Sequence, residues 1–271
     1  MRFFEFEKLL DCNSNDALER YIRYGGLPKV AKLSDETEIK DYLCPLYDSM
    51  ILKIMTAEKL ENPMLILAVI KCLLENTGVP LTYNSVTNEV KEIGFNSTPQ
   101  TIKKIINALT RANLFNCCPR LDYFNVKCFP NVTSHSGNNF DCKQIYTFYA
   151  YDNSLFFIYG DSQQQRKQIL KTIVFNEISH RYTYAIFFSK INGEIIDFNF
   201  SARILNSDVE ILAEVIESVV DAKEKKKLEN KFKNIPDNIH KYIFSLDDHV
   251  VNINSNFKYI NIKRWLLNTK I

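Results

Sequence analysis

The stretch from residue 182 to residue 217 constrains the fold of this chain most. It holds two apolar runs, EIIDFNF and ILAEVIE, and each run carries one carboxylate, Asp197 in the first and Glu214 in the second. Side chains alternate between the two faces of a strand, so Asp197 shares a face with Asn199 and stands opposite Phe198. We therefore expect two strands that direct one carboxylate each into the same region.

Strand and helix patterns alternate through the second half of the chain. A strand is predicted at 145–151, where aromatic residues alternate, and a helix at 162–181. After the two acidic strands come a lysine-rich helix at 221–233, a strand at 241–246 and a terminal segment at 265–267. Strands that alternate with helices in this order predict an α/β domain with a mixed sheet.

The first half of the chain reads as helices. Asn15 and Asp16 are expected to cap a helix at 17–24 that Gly25-Gly26 ends, and a long helix is predicted at 36–59. Three further helices, at 63–76, 82–94 and 99–113, precede an extended hairpin at 114–129. This order is typical of a winged helix-turn-helix. The polar segment 131–143 is predicted to be a linker or a long wing.

The helix at 99–113 is the candidate DNA-reading element. Its apolar residues fall on one face, and the opposite face carries the side-chain types that contact bases or phosphates. The alternative is the solvated face of a packing module. The formal net charge is only +2, so any basic footprint must be local. The candidate DNA-binding residues are Gln100, Lys103, Lys104, Asn107 and Arg111.

The composition limits which cellular compartment and which partners are expected for this chain. Seven cysteines are scattered without metal-ligand spacing, and no secretory signal or bilayer-length apolar run precedes or follows them. We therefore expect reduced thiols, a cytoplasmic protein and no membrane partner. The four histidines also lack zinc-ligand spacing, so no resident cofactor is expected.

Several short segments resemble, in order and spacing, the C-terminal region of predicted prokaryotic AAA+ ATPases, over about residues 3–267. They are YIRYGGLP (21–28), PLTYNS (80–85), YTFYAYDNSL (146–155), IVFNEI (173–178) and EIIDF (194–198). The resemblance implies a winged helix followed by a PD-(D/E)XK nuclease-like, restriction-endonuclease-like domain. The ATPase core is not implied, because G-x-x-x-x-G-K-[ST] is absent from the sequence. We expect no ATP binding by this chain itself.

These patterns combine into a predicted fold of four parts, α+β overall with a mixed sheet. The parts are a helical adaptor at 1–62, a winged-helix-like domain at 63–130, the linker or wing at 131–143, and a nuclease-like α/β domain at 144–271.

The resemblance also implies a catalytic pattern, which this chain matches in part. Such a nuclease needs an Asp and a Glu to hold Mg²⁺ and a Lys two residues after the Glu. Asp197 and Glu214 fit as catalytic and metal-binding positions, but Ile216 stands in the lysine position. Lys171 stands where the family often carries an acid, and Glu177 is a candidate substitute. A lysine displaced to the next helix remains an alternative, with Lys223, Lys225, Lys226 and Lys227 as candidates.

Three interpretations follow, because the acids of the nuclease pattern are present and its lysine is not at the usual position. The first is a non-catalytic module that binds DNA, another protein or a second copy of itself, with Asp197 and Glu214 vestigial. The second is a Mg²⁺-dependent DNA endonuclease with a displaced lysine. The third is the C-terminal part of a split ATPase that acts with a separate AAA+ core carrying the P-loop.

Overall fold

The computed structural model describes ten stretches of the chain. They are residues 1–10, 13–121, 145–161, 165–182, 185–191, 193–204, 207–218, 222–233, 235–248 and 257–268. The chain divides into two compact units, Met1–Cys117 with Gly137–Thr172 (unit 1) and Cys118–Ser136 with Ile173–Ile271 (unit 2). The predicted hairpin beyond residue 121, the predicted linker at 131–143, and His135 and His249 lie outside the described residues.

Helices form most of unit 1. They are α1 (Phe3–Glu7), α2 (Ser14–Tyr24), α3 (Pro28–Lys32), α4 (Glu36–Glu58), α5 (Pro63–Glu75), α6 (Tyr83–Glu92), α7 (Pro99–Arg111) and α8 (Ser154–Tyr159). The helix α9 (Arg166–Arg181) begins in unit 1 and ends in unit 2. Unit 2 also contains α10 (Ala222–Lys231) and α11 (Ile262–Leu267). None of the helices in these described stretches has the length and apolar character needed to cross a bilayer.

The strands form a mixed sheet in the order β2-β1-β3-β4-β5-β6-β7. They are β1 (Phe115–Leu121), β2 (Tyr146–Ala150), β3 (Phe187–Ile191), β4 (Glu194–Ile204), β5 (Ser207–Val215), β6 (His240–Ser245) and β7 (Lys258–Asn261). β3, β4 and β5 pair antiparallel, whereas β5-β6 and β6-β7 pair parallel. The prediction of a mixed sheet with helices is therefore confirmed.

Local signals explain where the helices of unit 1 begin. The Asn13 side chain accepts the backbone N–H groups of Asn15 and Asp16, so α2 starts at Ser14, three residues before the predicted start. The expected cap at Asn15-Asp16 was wrong because Asn13 supplies the acceptor at the first turn. Thr98 caps α7 by accepting the N–H of Thr101.

The Gly25-Gly26 turn ends α2 as predicted and also makes a long-range contact. Gly25 has a φ of +86°, and a Cβ at that position would lie 2.1 Å from Oδ1 of Asp152. The N–H of Gly26 donates to Oδ2 of Asp152 at 2.9 Å, and the Ser154 hydroxyl donates to Oδ1 at 2.5 Å. Tyr47 extends the network through its hydroxyl, 2.5 Å from that of Ser154. Glycine is required here by close approach as well as by backbone angle.

Helices cover both faces of the sheet in unit 2. On one face, Leu228 and Phe232 of the α10 segment pack in one apolar cluster with Leu212 and Ile216. On the other face, aromatic rings join helices to strands. Phe175 of α9 contacts Phe198, and Trp265 of α11 contacts Phe244, with ring centroids 6.0 and 4.7 Å apart.

Candidate functional site

A register shift in β4 positions the first predicted acid. Phe187 of β3 faces Asn199, but Ser189 faces Ile196, so β4 has one more residue than β3 over this interval. Asp197 lies within this irregularity. β-Bulges often lie next to functional sites because they change the direction of a side chain.

The carboxylate pair, Asp197 and Glu214, is brought together where β4 and β5 pair. The backbone N–H of Asp197 donates to Oε1 of Glu214 at 3.1 Å, and the N–H of Val215 donates to Oδ2 of Asp197 at 3.0 Å. Each carboxylate therefore accepts a backbone N–H from the opposite strand. The two residues are 2% and 4% exposed, respectively. The prediction that the two acids are directed into one region is confirmed.

A lysine from α10 completes this group. Nζ of Lys231 lies 2.5 Å from Oε1 of Glu214, and the two side chains are 13% and 6% exposed. The ion pair supplies positive charge to a buried acid, which would otherwise be costly. The charged group at the centre of unit 2 is therefore Asp197, Glu214 and Lys231.

Lys231 is not among the four lysines, at 223, 225, 226 and 227, that the sequence offers as displaced candidates. Lys226 and Lys227 are exposed on α10, and the side chains of Lys223 and Lys225 lie outside the description. A usable signal was the spacing Leu228-x-x-Lys231-Phe232, because residues at i, i+3 and i+4 share one helix face. Lys231 lies on the inward face for that reason.

Ile216 occupies the position where the nuclease pattern requires lysine. It is 3% exposed and belongs to the apolar cluster that includes Leu228, Phe232 and Ile243. The site of the expected ammonium is thus part of the hydrophobic core beneath α10.

Glu177 makes an ion pair on the opposite face of the sheet. Its Oε1 lies 2.5 Å from Nε of Arg181, one turn along α9. Arg181 also donates to the carbonyl of Trp265 at 2.6 Å, and its guanidinium carbon lies 4.7 Å from the centroid of that ring. These contacts connect α9 to α11.

The side chain of Lys171, at the expected acid position, lies against Gly78 in unit 1.

Burial also raises the pKa of Tyr182, which lies on the face of the sheet where aromatic rings join helices to strands, here called the aromatic face. Tyr182 lies beside Phe200, with ring centroids 5.1 Å apart. Its burial raises the pKa of Tyr182 to about 12, and the nearby Tyr242 adds to this increase. The hydroxyl therefore stays neutral through the physiological range.

Polar contacts continue along β4 beyond the carboxylate pair. Nδ2 of Asn199 donates to Oγ of Ser189 at 3.2 Å and to Oε1 of Glu210 at 3.1 Å. Asn199, placed by alternation on the face of Asp197, thus connects β3, β4 and β5. Among the residues with described positions, no three or more His, Cys, Asp or Glu side chains form a group able to hold a metal ion.

The candidate DNA-binding residues of α7 differ in their surroundings. Gln100 and Lys104 are exposed, whereas Lys103 and Asn107 are half-buried. Arg111 is exposed but its Nη2 lies 2.6 Å from Oε1 of Glu58 on α4. The predicted face is therefore divided between an open N-terminal half and a C-terminal end that contacts α4.

Comparison of the chain with protein-family models, with curated proteins and with solved structures gives no match in any of the three.

Proposed function

We propose that this chain is a non-catalytic interaction module with a winged-helix-like part and a degenerate nuclease-like part. Two observations support the architecture. An acid on each of two neighbouring strands is what the resemblance to the AAA+ ATPase C-terminal region implies. The order α5, Leu81, α6, α7, β1 and β2, with Leu81 bridged to Tyr146, is compatible with a winged helix.

The observation that carries the proposal is the burial of Ile216. A PD-(D/E)XK site uses a lysine two residues after its glutamate to orient water and stabilise developing charge. Here that position is filled by an aliphatic side chain that packs against Leu228 and Phe232. An ammonium at this position would lose its hydration without a partner of opposite charge in the apolar cluster.

The carboxylate pair, as arranged, does not fit a hydrated Mg²⁺ ion. Mg²⁺ requires near-octahedral oxygen ligands and usually keeps several waters. One oxygen of each acid already accepts a backbone N–H, and Lys231 lies against the same oxygen of Glu214. Both acids are buried, at 2% and 4% exposure, whereas Mg²⁺ usually keeps several of its waters when it binds carboxylates. These residues act instead as a polar connection between β4 and β5.

Supercoiled plasmid incubated with Mg²⁺ or Mn²⁺ tests the proposal. We expect no nicking above that of a matched Asp197→Ala/Glu214→Ala protein. Asp208→Ala is the control substitution, because Asp208 is an exposed acid on β5. Cleavage by the parent and by the Asp208 variant, lost in the double variant, would show that the chain is a nuclease.

One observation favours a Mg²⁺-dependent endonuclease as a second candidate. Lys231 reaches Glu214 at 2.5 Å from the next helix, as a displaced lysine would. This candidate predicts that the parent cleaves and that Lys231→Met does not. Lys226→Met is the matched control, since Lys226 is exposed on the same helix. An inactive parent rejects this candidate.

A further inference from the structure

The last two residues of α6, the turn to α7 and the first half of α7 form an exposed surface with few acids. Ile93–Thr98 connects the two helices, and Gly94 in this turn has a φ of +95°. Glu92 is the acidic residue exposed here, whereas the basic and neutral polar residues are more numerous. The exposed members are Lys91, Asn96, Thr98, Gln100 and Lys104.

We propose that this surface, named the α7 entry surface, binds duplex DNA through Gln100 and Lys104. The inference deepens the proposed function, on which it rests, by naming the partner of the module. It commits to DNA because the surface combines lysines, which neutralise phosphates, with an exposed glutamine, a side-chain type that pairs bidentately with adenine. In helix-turn-helix proteins the N-terminal residues of the second helix reach the base edges.

The structure separates Arg111 from this surface. Arg111 lies at the last residue of α7, three helical turns from Gln100, and pairs with Glu58 of α4. A guanidinium that already has a carboxylate partner gains less from a phosphate, because the existing pair must be broken. Arg111 therefore connects α7 to α4, and the DNA contact is limited to the first half of the helix.

The packing of α7 explains how the entry surface is held in place. Ile102, Ile105, Ile106 and Leu109 are buried on the inner face of α7. Residues 100 and 104 are one turn apart on the outer face, so both side chains project in the same direction. Because the inner face is buried, packing holds the backbone that carries the two side chains in place.

Fluorescence anisotropy with a labelled duplex of about three helical turns of mixed sequence tests the inference. Binding of the full chain is measured at several salt concentrations, and log K is plotted against log salt. We expect Lys104→Ala to weaken binding and to reduce the magnitude of the slope by about 1, the value for one lost phosphate contact. Gln100→Ala is expected to weaken binding while leaving the slope unchanged. Lys71→Ala, an exposed lysine on α5, is the matched control.

Arg111→Ala distinguishes the two halves of α7. It should leave the salt slope unchanged, because its charge is engaged by Glu58. A slope that falls equally in Arg111→Ala and Lys104→Ala would overturn the assignment to the first half of the helix. No binding by the parent at low salt would also overturn the inference. The plasmid cleavage assay reports on unit 2, so failure here is distinguishable from failure of the non-catalytic proposal.

Discussion

Two buried ion pairs among the described residues of unit 2 lie on opposite faces of the sheet, and they are built differently. Arg181 and Glu177 lie one turn apart on α9, and their side chains are 7% and 4% exposed. Lys231 and Glu214 connect α10 to β5 across the other face. Both pairs have an N–O distance of 2.5 Å, so distance alone does not separate their roles.

The two ion pairs differ in the other groups that their charged side chains contact. Arg181 also contacts the carbonyl and the ring of Trp265, so this pair fastens α11 to α9. Glu214 also accepts the N–H of Asp197, and a second carboxylate lies beside it. One pair is thus a local connection between helices. The other neutralises part of a concentrated negative charge inside the sheet.

The largest effect is expected from Arg181→Met. Glu177 would stay buried without its cation, and the contacts with Trp265 would be lost, so unfolding should become easier by about 4 kcal/mol. Urea denaturation monitored by Trp265 fluorescence measures the change. The double variant Arg181→Met/Glu177→Gln should recover part of the loss. A loss under about 1 kcal/mol would show that the pair contributes no more than a surface pair.

A smaller loss, about 3 kcal/mol, is expected from Lys231→Met. Lys231 is more exposed than Arg181, so water can partly replace the lost ammonium. Amide hydrogen exchange of β4 and β5 locates the effect, and protection of the Asp197 and Val215 N–H groups should fall first. Adding Glu214→Gln should restore stability because the uncompensated charge is removed. A double variant as unstable as Lys231→Met would reject charge compensation as the role of Lys231.

The smallest effect on stability is expected from Tyr182, on the aromatic face, and only at alkaline pH. Tyr182 has a pKa of about 12 in the folded chain, above its ordinary value of 10.0. Below pH 10 both states keep the proton, so stability is unaffected. Between these values the unfolded chain ionises first, so stability falls as pH rises through the folded pKa. Tyr182→Phe should reduce this decline in urea denaturation series, whereas an unchanged decline would assign it to other groups.

Much of unit 2 could be predicted because its core follows strand alternation and helix periodicity. Asp197 and Glu214 stand out in apolar runs, and Ile216 stands at the lysine position of the pattern that the resemblance implies. Most predicted helices and strands lie within a few residues of their observed bounds. The short elements α3, α8, β3 and β7 were not predicted separately, because four to six residues give too little periodicity.

Other features depend on contacts between distant parts of the sequence. Lys231 lies at the end of α10, the helix that follows the strand of Glu214. Its contact with Glu214 therefore depends on how α10 packs on the sheet. The register shift near Asp197 depends on pairing with β3, which alternation within β4 does not reveal. Likewise, the polar face of α7 can be predicted from the sequence. The ion pair of Arg111 with Glu58 cannot, because it is a tertiary contact between α7 and α4.

The contact of Gly26 with Asp152 has a consequence for the order of folding during synthesis. These residues are 126 positions apart, and both belong to unit 1. A ribosome must therefore complete the intervening residues, including Cys118–Ser136 of unit 2, before the Gly25-Gly26 turn meets its acceptor. N-terminal domains usually fold first during translation. Here the Gly25-Gly26 turn reaches its acceptor only after a segment 126 positions later has been made.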